Sequence, residues 1–126
     1  TALSYGVDPR ASADIGEALR HAIPPEDVDF LNNLRPSFHY GSYFFAHAGV
    51  RPGVALDAQS LDDLIWIREP FLHHTGPFGA IVVHGHTPHA EPQFRANRIN
   101  IDSAAFATNR LSCIRIDWNG VRLVSA

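Results

Sequence analysis

The chain has 126 residues, enough for one modest domain with a core of its own. Its 45% hydrophobic and 18% charged residues exclude a disordered chain, and a net charge of -3 without a Lys/Arg cluster excludes a basic footprint for nucleic acid. No apolar stretch approaches the roughly 18 residues that a membrane span needs, and the single cysteine, Cys113, cannot close an internal disulfide.

Residues 1 to 10 read as a loop or tail with no signal-peptide pattern, and an opening without Met reads as a processed or excised piece. Ser12 is the expected cap of a first helix from about Ala13 to His21, with Ile15, Ala18, Leu19 and Ala22 on one face. With that cap, Glu17 falls late for a capping box. Pro24-Pro25 ends this helix. Pro25 suits the first turn of a second one, with Glu26 and Asp27 near its positive end and Val28, Phe30, Leu31 and Leu34 as its apolar side. The helix is expected to stop before Pro36.

Two short extended runs follow, Ser37 to Tyr40 and Tyr43 to Ala46, separated by the hairpin signal Gly41-Ser42. The second run ends in His47 and small residues. Asp57 to Ile67 reads as a helix with Leu61, Leu64 and Ile65 as its core stripe, closed by Arg68-Glu69-Pro70. Arg68 at the helix exit either projects into a cleft or pairs on the surface with Glu69 or Asp63. Arg51 either faces a cleft mouth or ties its own turn together. Phe71 to Gly79 reads as a loop, with His73 and His74 solvated.

Ala80 to Pro88 organises the rest of the chain. Ile81-Val82-Val83 is a short buried strand running into His84-Gly85-His86. Side chains two apart on a strand share a face, so His84 and His86 are expected on one side. An imidazole held at the mouth of a buried strand suits a metal ligand, and His47 repeats the same pattern: apolar strand, histidine, small residues, turn. Pro88 to Asn97 reads as a polar loop containing His89. Arg98 to Asp102, Leu111 to Asp117 and Val121 to Val124 read as a late antiparallel set, the last two joined at Asn119-Gly120. Ser103 to Arg110 reads as a loop, and Cys113 as a buried, inert thiol. No linker divides the chain, which reads as one unit of mixed α/β layered fold.

Four of these stretches resemble, in family order, the motifs of bacterial serine/threonine protein phosphatases of the calcineurin-like metallophosphoesterase superfamily. Phe44 to Gly53 resembles their "HAG-x-RPG" motif, and Leu64 to Pro70 their "LLWIR" helix exit. Val83 to Pro88 resembles "GHTP", and Asn97 to Ala104 resembles "NRI-x-IDTGA". The resemblance covers roughly residues 37 to 117. It implies half of a layered β-sandwich flanked by helices, with two divalent ions side by side, manganese first and iron or zinc as alternatives. His47 and His86 would be ligands of the second ion, and Arg68 would contact the substrate phosphate. Two ions about 3.5 to 4 Å apart polarise phosphoryl oxygens and lower the pKa of a bridging water, and a guanidinium fits two phosphate oxygens as a fork. His84 is not a ligand in the family and is expected to hydrogen-bond a loop carbonyl or carboxylate beside the site. His89 is expected to be a loop residue.

The family's earlier motifs, "GD-x-HG", "GD-x-VDRG" and "GNH[ED]", do not occur in this chain. It therefore reads as the C-terminal portion, residues 1 to 126, of a single catalytic domain, inactive alone. The implied activity of the whole is hydrolysis of phosphomonoesters on a phosphorylated protein or small phosphoester. The alternatives are dinucleoside polyphosphate hydrolysis, a pattern that diadenosine tetraphosphatases share, and a non-catalytic binding module. Implied partners are the missing N-terminal half or a second copy, with neither nucleic acid nor membrane, in a cytoplasmic setting. Two smaller departures stand in the last motif: Ala104 takes the place of the glycine in "DTGA", and Asn109 that of a glycine before Arg-Leu. Asn tolerates a positive φ next best after Gly, whereas Ala104 puts the loop geometry in doubt.

Overall fold

A computed structural model describes every residue except Ser12 and Ala126. Its contacts divide the chain after Arg35 into an N-terminal helical unit and a second unit, from Pro36, that holds the strands.

In the first unit a 3₁₀ turn, Ala2–Tyr5, precedes α1 (Ile15–Ala22) and α2 (Pro25–Asn32). The expected Ser12 cap lies outside the described residues. Asp14 caps α1 instead, its carboxylate accepting from the Glu17 N–H at 2.9 Å. This start places Glu17 third in the helix, the capping-box position that a Ser12 cap had denied it. Helix α2 begins on Pro25 with Glu26 and Asp27 in its first turn, as expected. Its apolar side is not a core face. Val28, Phe30, Leu31 and Leu34 are all exposed, Phe30 by 65%. An apolar spacing gives a helix its stripe, but burial needs a second element over it.

In the second unit, β1 (Ser37–Tyr40) and β2 (Tyr43–Ala46) form the expected hairpin, with Gly41 at φ 56 in the turn. β2 runs parallel to β3 (Ile81–His84), and β3 parallel to β5 (Arg98–Asn100). The two-residue β4 (Gln93–Phe94) adds antiparallel to β5, inside the stretch expected to be a polar loop. The sheet order is β1-β2-β3-β5-β4. A separate hairpin joins β6 (Ser112–Asp117) to β7 (Gly120–Ser125). The unit is thus mixed α/β, with a mixed five-stranded sheet and a small two-stranded one.

Several expectations change in detail. The strands after residue 97 are not one antiparallel set, because β5 joins the large sheet beside β3. The last turn is Trp118-Asn119, one residue early, since Asp117 pairs with Gly120. A one-turn helix, α4 (Ala105–Thr108), occupies the expected loop. Cys113 is exposed, because it shares the solvent face of β6 with Arg115. The helix expected over Asp57 to Ile67 splits into a 3₁₀ turn, Leu56–Ala58, and α3 (Leu61–Trp66). Ser60 divides them, its hydroxyl accepting from the Asp63 N–H at 3.1 Å as the cap of α3. Leu61 is consequently exposed, and Leu64, Ile65 and Ile67 carry the packing.

The core of this unit gathers Phe44, Ala48, Val50, Leu64, Ile67, Phe71 and Val82. Phe71 is 0% exposed and anchors the loop after α3; burying such a ring contributes about 2 kcal/mol. Among the described residues no helix is long and apolar enough to cross a membrane.

Candidate metal centre

Adjacent parallel strands end on the same side of a sheet, and both candidate ligands sit just past such ends: His47 after β2 and His86 beyond β3. The main chain ties the two loops together. Gly85 donates its N–H to the His47 carbonyl at 2.9 Å, and Ala48 donates to the Leu64 carbonyl at 2.8 Å. Gly85 is also tightly placed, since a Cβ there would lie 3.3 Å from the Asp102 Cβ. His86 then turns at φ 64, in the left-handed region.

This brings His47 Nε2 within 3.2 Å of His86 Nδ1, with ring centroids 5.0 Å apart. Two imidazole nitrogens on one tetrahedral ion, each about 2.0 to 2.1 Å from it, stand about 3.3 Å apart. The observed 3.2 Å is a hydrogen-bond distance that also matches the spacing of two ligands on one ion. Without one, one ring donates a hydrogen bond and the other accepts. Burial holds the His86 pKa below the usual histidine range, helped by the neighbouring His47 and Arg68 and opposed by Asp102. The neutral ring is the form that binds a metal. The fit stops at two ligands. Among the described residues no group of three His, Cys, Asp or Glu side chains is gathered, whereas zinc-type sites take three or four. These residues do not by themselves make a two-ion centre.

Arg68 follows the end of α3 and is exposed. The surface pairing considered for it does not form. Asp63 is taken by Arg51, and Glu69 by His73 at 2.6 Å. Among the described residues Arg68 enters no ion pair, and its charge is felt at His86. Arg51 ties its own turn: its guanidinium grips both oxygens of Asp63 and holds that carboxyl below its usual pKa range.

His84 and His86 do not share a side. β3 ends at His84, and the left-handed turn sends His86 elsewhere. His84 is 2% exposed, edge-on to Phe71 at 4.8 Å, and donates from Nδ1 to the Gly85 carbonyl at 3.1 Å, the loop contact expected of it. Burial pushes its pKa down to about 4. His89 is exposed on its loop and accepts from the Gln93 amide at 3.2 Å. His73 is solvated as expected, but His74 is half-buried against Phe78.

Two residues near the pair carry weight that the sequence reading had not given them. Trp66 sets its exposed indole edge-on to His86 at 5.6 Å. Its signal was a large aromatic at a helix end, two residues before Arg68. Gly85 provides the main-chain tie, and its signal was a glycine squeezed between two histidines. No protein-family model matches the chain, and no curated protein matches it.

Proposed function

We propose that His47 and His86 supply two ligands of a divalent metal centre that hydrolyses phosphomonoesters, as in the calcineurin-like serine/threonine phosphatases whose motifs the chain resembles. The observation that supports this best is the 3.2 Å approach of His47 Nε2 to His86 Nδ1 at the ends of two parallel strands. Bound ions, manganese first and iron or zinc as alternatives, would polarise the phosphoryl group and activate water. The chain's own residues bind and orient. The histidines donate nitrogen lone pairs in neutral form. Arg68, free of carboxylate partners among the described residues, offers its guanidinium fork to phosphate oxygens. Trp66 walls one side of His86.

The remaining ligands would come from outside these residues, from a preceding half of a layered β-sandwich or from a second chain. A phosphorylated protein or small phosphoester is the proposed substrate, in a cytoplasmic setting. The test is manganese-dependent hydrolysis of p-nitrophenyl phosphate by the product of the whole gene. Turnover that His86→Ala abolishes supports the proposal; a product that neither turns over nor takes up metal sinks it. In that case the second reading, a non-catalytic binding module, takes its place.

A further inference from the structure

A second site lies toward the other ends of the parallel strands. An open cleft of about 320 Å³ is lined by His74, Thr75, Arg95, Ala96, Asn97 and Arg98. Arg98 opens β5, opposite Val82 rather than His84, so the cleft stands away from the turn that carries His86.

The cleft is built rather than incidental. The Asn97 amide donates to the carbonyls of His74 and Gly76, at 2.9 and 2.8 Å, and fixes the opposing loop. The His74 ring lies over Gly76, where a Cβ would come 2.9 Å from its Nε2, and tilts against Phe78. Arg95 donates its backbone N–H to the Arg98 carbonyl at 2.9 Å, which sets both arginines on the same short turn.

The charge there is unbalanced. Arg98 is 4% exposed, yet among the described residues no carboxylate lies within ion-pair distance of it. One of its five N–H donors goes to the Leu72 carbonyl at 2.6 Å, and the guanidinium sits 5.6 Å from the Phe71 ring centre. Glu69 acts on it only at longer range and is engaged by His73. Arg95 brings a second positive charge against it. The other Arg98 nitrogens are not among the buried atoms left without a partner, so they stay open to the cleft, where an anion would offset the like charge of Arg95.

We propose that this cleft binds a tetrahedral oxyanion of the phosphate class, gripped by the buried Arg98 guanidinium and by Arg95. Two guanidinium groups match the several acceptor oxygens and the charge of phosphate better than the single charge of a carboxylate. The site stands whether or not His47 and His86 hold a metal.

The experiment is an NMR titration of the chain with inorganic phosphate at constant ionic strength, which removes general screening. The Arg98 Nε–H and the Thr75 amide are followed, with acetate as the comparison anion. Saturable shifts at those two groups are expected, with acetate weaker by roughly tenfold. Arg95→Gln removes an exposed side chain whose backbone bond survives, and should weaken phosphate roughly tenfold with the fold intact. Failure to saturate, equal response to acetate, or unchanged affinity in Arg95→Gln would overturn the proposal. So would shifts centred on Arg68 and His86, which would place the anion at the metal-ligand site instead.

Discussion

Gly85 donates its backbone N–H to the carbonyl of His47 at 2.9 Å. The two histidine-bearing loops are therefore held together by main chain, and their imidazoles are free to change without loosening them. His86→Gly should abolish the histidine's share of metal binding while leaving the protein as stable or up to about 1 kcal/mol more stable, because glycine relieves the cost of φ 64. Zinc or manganese titration beside a denaturant melt separates the two effects. A variant that unfolds would show that the imidazole, not the backbone, secures the turn.

Gly49 carries a different constraint. A Cβ there would lie 2.4 Å from Cδ1 of Phe71, a ring with no exposed surface, and the backbone stands at φ 152. Gly49→Ala should cost about 3 kcal/mol, since neither the ring nor the loop behind it can retreat into solvent. Urea unfolding checks this, and a loss well under about 1 kcal/mol would mean that Phe71 has space to move.

Ala104 sits in the left-handed region at φ 53, where the resembled motif carries glycine, and its N–H donates to the Asp102 carboxylate at 2.9 Å. Ala104→Gly should stabilise the chain by about 1 kcal/mol. A lower melting midpoint for the variant would count against this loop conformation. Asn109, at φ 56, needs no such relief, because asparagine tolerates this region.

Asp63 links stability to acid. Arg51, chiefly, and Ser60 hold its folded pKa below the unfolded value, against the opposing effect of burial. A depressed carboxylate pKa contributes stability that is present above the unfolded pKa, near 4, and is lost as pH falls through the folded value. Asp63→Asn should therefore be less stable than the parent chain at pH 7, with the difference shrinking as the parent carboxyl protonates. Parallel curves at all pH values would mean that the ion pair with Arg51 does not titrate with folding.

The β1–β2 hairpin, the start of α2 and the buried strand β3 were legible in the sequence because local signals fix them: a Gly-Ser turn, a proline at a helix start, an uncharged β-branched run. The convergence of His47 and His86 was suggested by two similar stretches and singled out by the family resemblance, and the parallel pairing of β2 with β3 brings the two strand ends together. What stayed hidden depends on partners far along the chain. Arg98 and Asn100 lie in a run that reads only as an extended strand, yet both side chains are buried, each donating to the carbonyl of a distant loop. Cys113 erred the other way: expected to be buried, it stands on the exposed face of β6. Arg68 was open between two fates until Arg51 and His73 were seen to take its expected partners.

The polar side chains around β5 work as rivets. Asn97 pins the loop at His74 and Gly76, Arg98 pins Leu72, and Asn100 pins Thr87, one residue past His86. A strand only three residues long thus sets the position of both the arginine cleft and the histidine turn. Because side chains on a strand alternate faces, a slip of one residue would withdraw every rivet at once. The two sites stand or fall on the same register, and a sequence that drifted at Asn97, Arg98 or Asn100 would blur both together rather than retire one and spare the other.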